Sequence, residues 1–409
     1  MSSSRFALSN RSGSWRAATV VPAVLAAGLA AASITAVAAA AASSRPAASV
    51  PSGFRAASMS WLTASSALVL GTAPCKETTD GGSSIPTGCL YVVGTGNAGA
   101  SWDFVAAVNA PLTGAVQSVT MTSPKVAWLY GPDLWLSKDS GKAWTKVPTP
   151  GGAPQVISLV SNATETYAMV APCPPNIAGS CQAKPYTLWS TPTAAPGKWT
   201  EIKNNFTPPA GTIDFDSGLS LFGTTVYAFA SFENSDGGDV HNVMKASENG
   251  GSFVAHSVPC DTTSQTPENL VQMVATTAKD VGALCESEPS VGQSLKPVFY
   301  STNGGAKFVS AGAPETGGVN AQLAASPTRH LAVTSSSGAS YIDVNYTGGS
   351  AWKRVVSEPD GGQGWNGIVY VSAKVAWVVY APSSGPDPQA PGQLWKTTNG
   401  GISWSVVKW

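Results

Sequence analysis

SKDSGKAW, at residues 137–144, is the clearest copy of a short pattern that recurs through the chain: a serine or threonine, a glycine-rich turn and an aromatic residue. Two further strong copies are STNGGAKF at 301–308 and TTNGGISW at 397–404. Weaker copies complete a set of closing aromatic residues: Trp102, Trp144, Trp199, Phe253, Phe308, Trp352 and Trp404. Their successive gaps are 42, 55, 54, 55, 44 and 52 residues. A period of roughly 40–50 residues is typical of propeller blades, so the spacing predicts seven repeated units.

One repeat contains four short strands. Residues 116–147 hold the segments VQSVTMT, KVAWLYG, LWLSKD and AWTKV, and Ser-Pro, Gly-Pro-Asp and glycine turns separate them. The sequence therefore predicts an all-β fold, a seven-bladed β-propeller with four-stranded antiparallel blades over residues 57–409. The first blade is expected to begin with its innermost strand and the last to end with its outermost strand. We therefore expect packing between blades one and seven, with Trp404 or Trp409 contributing, to close the ring.

Each copy of the pattern, called a box here, has a structural role. Its hydroxyl and its Asp or Asn side chain hydrogen-bond nearby amides, its glycine supplies a positive φ, and its aromatic ring packs between neighbouring sheets. The residues assigned to this role are Trp102, Ser137, Asp139, Gly141, Trp144, Trp199, Phe253, Ser301, Asn303, Gly305, Phe308, Trp352, Thr397, Asn399, Gly401 and Trp404.

The boxes resemble the Asp-box, or bacterial neuraminidase repeat, with the pattern S-x-D-x-G-x-x-W. Together with the phrases VAWLYG and LWLSKD, they resemble the photosystem II assembly-factor family of seven-bladed propellers. Sortilin-type receptors and xyloglucanases share the box. Asp139 keeps its acid, whereas asparagine replaces it at Asn97, Asn249, Asn303 and Asn399. The resemblance covers residues 57–409 and implies a fold rather than one activity.

The N-terminal 42 residues are typical of a signal peptide or membrane anchor. Arg5, Arg11 and Arg16 precede a small, apolar run at 17–42 whose end fits an A-x-A cleavage site. An uncleaved anchor is the alternative, because the run is long enough to span a bilayer. Residues 43–56 are interpreted as a Pro/Ser/Ala linker. These features predict a secreted or cell-surface protein.

Composition excludes one large class of partners. Charged residues make up 11% of the chain and the formal net charge is zero, so no basic field is available for a nucleic-acid backbone. We expect a monomer that meets a membrane only through its N-terminal segment, if that segment is uncleaved. No motif predicts a cofactor.

Six cysteines in an exported chain predict three disulfides. In the propeller layout, Cys75 and Cys89 flank the loop between the second and third strands of blade one, and Cys173 and Cys181 flank the same loop of blade three. Cys260 and Cys285 lie in two loop types that share one face. The predicted pairs are therefore Cys75–Cys89, Cys173–Cys181 and Cys260–Cys285.

Residues for catalysis are scarce. A sialidase needs three convergent arginines, but after the linker region the candidates are Arg55, Arg329 and Arg354, in unsuitable settings. A glycosidase needs two carboxylates, and Asp214 and Asp216 are the nearest paired acids, at the start of an inner strand. We assign no catalytic residue and no metal ligand.

These observations favour an exported binding or scaffold module for an extracellular protein or carbohydrate. The alternative is a glycoside hydrolase, sialidase-like or xyloglucanase-like, with unassigned carboxylates. Binding is expected on the face that carries the disulfide loops, around the channel mouth. Trp365, between glycines in the connection to blade seven, is a candidate exposed aromatic residue there.

Overall fold

A computed structural model of the protein describes residues 48–75, 88–111, 116–173, 184–234, 239–290, 293–337, 339–359, 364–381 and 392–409. These residues form seven antiparallel sheets, each made of strands that are consecutive in the sequence. The first strands of the sheets contact one another around a central channel. The prediction of a seven-bladed β-propeller with four-stranded blades is confirmed, with one short additional strand in blade five.

The strands follow the order of the chain. Blades one and two contain β1 (Arg55–Trp61), β2 (Ala67–Pro74), β3 (Gly88–Thr95), β4 (Asp103–Val108), β5 (Ser118–Met121), β6 (Ala127–Tyr130), β7 (Leu134–Ser137) and β8 (Thr145–Val147). Blades three and four contain β9 (Gln155–Ser161), β10 (Glu165–Ala171), β11 (Tyr186–Pro192), β12 (Thr200–Phe206), β13 (Thr212–Phe222), β14 (Thr225–Asn234), β15 (Val240–Glu248) and β16 (Val254–His256).

The last three blades contain the remaining strands. They are β17 (Asn269–Ala275), β18 (Val281–Ser290), β19 (Gln293–Leu295), β20 (Val298–Ser301), β21 (Val309–Ser310), β22 (Val319–Ala325), β23 (Leu331–Ser337), β24 (Ala339–Asn345), β25 (Lys353–Pro359), β26 (Trp365–Tyr370), β27 (Ala376–Tyr380), β28 (Gln393–Thr397) and β29 (Ser405–Val406). In the described ranges, the one helical element is a 3₁₀ turn at Pro150–Gly152. No helix of the described part of the chain has the length and apolar character needed to span a membrane.

The ring closes without a strand shared between blades. All four strands of blade seven come from the C-terminal end of the chain, as predicted. The residues before β1 extend blade one instead: Ser49 bridges Asp103, and the amide of Phe104 donates to the carbonyl of Ala48 at 2.8 Å. Closure therefore depends on packing, on side-chain hydrogen bonds and on one backbone bond, in which the amide of Ala56 donates to the carbonyl of Gly392 at 2.6 Å.

Aromatic rings fill the seam between blades seven and one. Trp377 is fully buried, and its ring lies 4.7 Å from that of Trp61 and 5.8 Å from that of Trp102. Trp409 contacts Trp102 at 5.5 Å and Phe54 at 5.0 Å. Each buried large apolar side chain contributes roughly 1.5–3 kcal/mol. Of the two residues expected at the seam, Trp409 is present, whereas Trp404 packs with the core of blades six and seven.

Strand direction sorts the connections onto two faces. Turns from the first to the second strand and from the third to the fourth lie at one end of every blade, together with the boxes; we call this end the box face. Loops from the second to the third strand and connections between blades lie at the other end, called the disulfide face. The two faces therefore differ in chemistry for a topological reason.

Candidate functional site

Side-chain hydrogen bonds fix the turns of the boxes. In blade two, Ser137 Oγ donates to Asp139 Oδ1 at 2.8 Å, and Gly141 N donates to Ser137 Oγ at 2.8 Å. Ala143 N donates to Asp139 Oδ1 at 2.9 Å. The same bonds form in blades one, five and seven, around Thr95, Ser301 and Thr397. The glycine of each of these turns has a positive φ, for example 85° at Gly141, as its structural role requires.

Blade four departs from the expected box. Asn249 has a φ of 58° and donates its amide to the carbonyl of Thr224. Ser140 in blade two has the same conformation and donates to Lys125 in the same way. Asn249 therefore occupies the position after the acid, because this turn is one residue shorter. The interpretation of Asn249 as a replacement for the acid was wrong.

Two of the predicted disulfides are present. Cys75 and Cys89 are joined, with Cα atoms 5.6 Å apart, and so are Cys260 and Cys285, also at 5.6 Å. Cys173 is buried, and its predicted partner Cys181 lies outside the described residues. Disulfides persist in oxidising compartments, which fits a location outside the cytoplasm.

A belt of side-chain hydrogen bonds surrounds the central channel. The first strand of each blade has an edge that faces the channel. In blades two, four, five, six and seven, a side chain from the preceding blade accepts a free amide of that edge. Donor amides and accepting oxygens are Val119 to Ser58 Oγ (3.2 Å), Leu219 to Ser158 Oγ (3.0 Å), Ala275 to Ser220 Oγ (2.9 Å), Leu323 to Gln272 Oε1 (2.6 Å) and Gly367 to Gln322 Oε1 (2.6 Å). At the seam, Asn366 Nδ2 donates to the carbonyl of Ala57 at 3.0 Å. In the sequence, the sole signal of this belt is that polar residues recur in the first strands.

The channel is polar toward the disulfide face. A cavity of about 330 Å³ there is lined by Ser158, Asp216, Ser217, Gln272, Gln322 and Asn366, among others. Gln272 and Gln322 use their Oε1 atoms in the belt, while their Nε2 amides make no hydrogen bond within the described residues. Asp216 accepts the amide of Ser217 at 2.7 Å. The cavity therefore offers amide donors, hydroxyl groups and one described carboxylate.

Toward the box face the channel widens to a cavity of about 510 Å³ with a more apolar lining. Met121, Leu221, Phe222, Met273 and Val369 contribute to its wall. A polar ligand is therefore better matched by the disulfide-face end, where amides and hydroxyls converge.

A buried charged cluster lies beside the polar mouth, between blades five and six. Lys296 is fully buried, and its Nζ donates to the carbonyls of Ser294 and Gly317 at 2.9 Å and of Gly318 at 3.2 Å. Burial lowers the pKa of Lys296 to about 8, although nearby Glu286 acts in the opposite direction. Through these bonds Lys296 joins the β18–β19 hairpin to the connection into blade six.

Arg354 completes this cluster. Its guanidinium bonds Asp343 at 3.1 and 3.2 Å, lies 3.1 Å from Glu315 and stacks 3.8 Å from the ring centre of Tyr341. Burial raises the pKa of Asp343, while the bonds from Arg354 lower it. These paired charges hold the outer strands of blade six and do not enter the channel wall.

Trp365 is not exposed as expected. Its side chain is 3% exposed and lies 4.9 Å from the ring of Tyr380 and 5.5 Å from that of Trp395. Trp365 is the first residue of β26, and strand pairing turns its ring into the core of blades six and seven. A sugar or side chain has no free aromatic face to stack on at this position.

The catalytic candidates do not converge. Arg329 pairs with Asp280 at 3.3 Å on the box face, whereas Arg354 belongs to the outermost strand of blade six. The side chain of Asp214 lies outside the described part of the chain. One cluster of metal-ligand types is found among the described residues, Cys260, Glu268 and Cys285, but its two sulfurs form the disulfide.

Fold and channel define the chain as a box-containing seven-bladed β-propeller. No protein-family model matches the chain, and curated proteins give no match. An ulvan lyase of polysaccharide lyase family PL25, bound to a GlcA-Rha3S unit, superposes with a TM-score of 0.55 at 8% identity, over 89% of this chain and 93% of that one.

Other propellers of known structure share the architecture. YCF48 bound to D1 peptide, a photosystem II assembly factor of the kind that the sequence resembles, matches with a TM-score of 0.49 at 15% identity, over 82% of this chain and 94% of that one. The α-L-arabinofuranosidase Arb93A of Fusarium graminearum matches at 0.44 and 12%, over 88% and 96%. At such identities the similarity shows a common fold, and ligands must be argued from the site.

Proposed function

We propose that the protein is an exported binding module that holds an extracytoplasmic protein or glycan at the polar channel mouth of the disulfide face. The composition of that mouth supports this proposal. Its described lining offers amides and hydroxyls from blades three to seven but one carboxylate, Asp216. Amide donors on a rigid ring suit recognition of hydroxyl or carbonyl oxygens.

Hydrolysis is the second candidate function. A two-carboxylate glycosidase places its acids about 5–9.5 Å apart across the scissile bond. Asp214 and Asp216 are close in sequence and are the pair that a test of hydrolysis should address. The described residues around Asp216 offer amides and hydroxyls rather than a second acid, so we favour binding without turnover.

A pair of isosteric substitutions tests the site. Gln272→Glu with Gln322→Glu keeps an oxygen for the belt amides of Leu323 and Gly367 but replaces the free amide donors by carboxylates. Binding should be measured against soluble neutral and acidic polysaccharides and an immobilised random-peptide library. We expect the wild-type chain to bind members of one panel and the double variant to bind them at least tenfold more weakly.

The matched control adds the same charges elsewhere. Ala143→Glu with Ala306→Glu alters two exposed box residues, and binding should persist. Reducing-sugar release from the bound polysaccharide, abolished by Asp216→Asn, would replace the proposal by the hydrolase. Loss of binding in the control but not in the channel variant would move the site to the box face.

A further inference from the structure

Seven exposed lysines lie on the turns of the box face. In the part of the chain that the structure describes, none of them forms an ion pair. They are Lys125, Lys138, Lys142, Lys198, Lys279, Lys307 and Lys374. The face therefore carries unpaired positive charge although the whole chain has a formal net charge of zero.

Three of these lysines occupy equivalent positions. The carbonyls of Lys125, Lys279 and Lys374 each accept the amide that follows the Asp or Asn of their box, at 2.9, 2.8 and 2.8 Å. The turn from the first to the second strand is thereby tied to the box, and its lysine is held at the surface of the face. The repeat geometry thus places the same charge in blades two, five and seven.

Acidic residues on this face offset only part of the charge. Asp139 accepts hydrogen bonds within its box, and Asp280 pairs with Arg329. Glu165 and Glu248 are the other acids on the turns between first and second strands and on the boxes of the described blades, and Asp103 directly follows the box aromatic Trp102. Positive charge remains in excess.

Exposed apolar side chains accompany the lysines. Ile402 in the box of blade seven is 59% exposed, and Phe222, at the turn of blade four, is 41% exposed. Val254 and Val309 follow box aromatics and are 62% and 58% exposed. Cations interspersed with apolar groups are the signature of a surface that docks on anionic lipid.

The N-terminal side of the described chain also meets this face. The carbonyl of Ala48 accepts the amide of Phe104, which follows the box aromatic Trp102 at the start of β4. The first described residues of the chain therefore lie on the box face.

We propose that the box face docks on an anionic lipid bilayer, which leaves the disulfide face free for its partner. The lysines are spread over blades two, three, five and seven. A groove of about 900 Å³ between blades four and five on this face is lined by just one of them, Lys279. A linear polyanion would bind best to cations that line one groove. An anionic bilayer is an extended plane, so it can contact lysines that are spread over the whole face.

Charge reversal at three of the lysines tests the proposal. Lys125→Glu, Lys142→Glu and Lys307→Glu are combined and compared with Lys184→Glu, Lys203→Glu and Lys408→Glu, three exposed lysines elsewhere that change the net charge equally. Co-sedimentation with vesicles of phosphatidylcholine containing about a third phosphatidylglycerol, at stepped salt concentrations, is the measurement. The box-face triple should bind at least about tenfold more weakly than wild type, since each lysine near an anionic surface contributes separately, and the control triple should bind like wild type.

Further binding measurements distinguish an anionic bilayer from other partners of the box face. Wild-type binding should fall with rising salt and be weak on pure phosphatidylcholine, and Phe222→Ser with Ile402→Ser should weaken it without changing the salt dependence. Equal loss in both triples, or equal binding to neutral vesicles, would overturn the proposal. Tight binding to dextran sulfate without binding to anionic vesicles would do so in favour of a soluble polyanion.

Discussion

One side-chain oxygen organises each regular box turn. Asp139 Oδ1 accepts the hydroxyl of Ser137 and the amide of Ala143, and Asn303 Oδ1 accepts the equivalent groups of Ser301 and Lys307. Asp and Asn side chains therefore stabilise the turn in the same way, because the turn requires only an acceptor oxygen. This explains how the boxes of blades one, five and seven keep their turn after losing the acid.

Asp139→Ala should lower the free energy of unfolding by about 1 kcal/mol, the usual effect of losing a turn-capping acceptor. Asp139→Asn should stay close to wild type at pH 7, since the chain already uses asparagine at Asn303. The pKa of Asp139 is lowered, and the largest cause is the hydrogen bond from the amide of Ala143. The Asp139 carboxylate should therefore contribute fully to the free energy of unfolding above the ordinary carboxyl pKa of about 3.9. This contribution should be lost as the pH falls through the lowered pKa that Asp139 has in the folded protein. Urea unfolding from pH 2.5 to 7 checks this, and an acid-dependent loss in Asp139→Asn equal to wild type would contradict it.

Lys296 should make stability rise in mild alkali. Its pKa is lowered to about 8 in the fold, below the ordinary value of about 10.4, so the unfolded chain binds the proton more tightly between these values. The resulting penalty on the fold is complete below pH 8 and is released as the pH rises toward 10.4. Relative to Lys296→Met, wild type should gain on the order of 1–3 kcal/mol across this window. Urea unfolding at pH 7.5–10.5 measures it, with the exposed Lys307→Met as control; parallel curves for wild type and Lys296→Met would refute it.

At the scale of elements, the two disulfides stabilise different parts of their blades. Cys260–Cys285 ties the connection into blade five to β18 and closes 25 residues, with Cys285 fully buried in the core of blades four and five. Cys75–Cys89 closes 14 residues at a less buried site on blade one. Chain entropy alone predicts similar stabilisation for both. The two disulfides differ instead in burial, because Cys285 lies in the core.

Replacing Cys260 and Cys285 together by alanine should cost more than replacing Cys75 and Cys89. Loop entropy gives about 3.5 kcal/mol for the first pair and about 3 kcal/mol for the second, and the first pair also leaves a cavity in the core. Thermal unfolding of both double variants tests the order. A larger loss for Cys75 with Cys89 would show that the blade-one loop carries more stability than its burial implies.

At the scale of the molecule, the ring joins its two chain ends at one seam. The rings of Trp61, Trp102 and Trp377 pack against one another there. The Asn366 side chain adds the one belt bond in which the side chain donates rather than accepts. Every other blade interface joins neighbours in sequence. The seam is therefore the interface that depends most on long-range order.

Asn366→Ala should loosen the seam selectively. Without its amide, the carbonyl of Ala57 loses its partner across the ring, which typically costs about 1–3 kcal/mol for a buried group. Hydrogen exchange should quicken in both β1 and β26. Gln322→Ala, which removes the corresponding acceptor between blades six and seven, should quicken exchange at β26 and spare β1. Equal exchange in β1 for the two variants would show that the seam is no weaker than other interfaces.

The sequence by itself determined the fold, the boxes and the two disulfides that the structure describes. The reason is local: period, turn chemistry and strand order are written in consecutive residues, and strand direction then assigns each loop to a face. Burial and cross-blade contacts needed the tertiary structure. Trp365 has an exposed-looking glycine context but packs inside the sheet stack, because strand register, not neighbouring residues, aims its ring.

The belt and the charged faces also emerged only from the tertiary structure. Gln272 and Gln322 belong to no sequence motif. They accept hydrogen bonds from backbone amides because the next blade presents a free strand edge to them. Lysines such as Lys125 and Lys307, 182 residues apart in a chain of zero net charge, become one surface because each blade turns the same end toward the same face. Such groupings depend on positions that the ring brings together, which no local window of sequence contains.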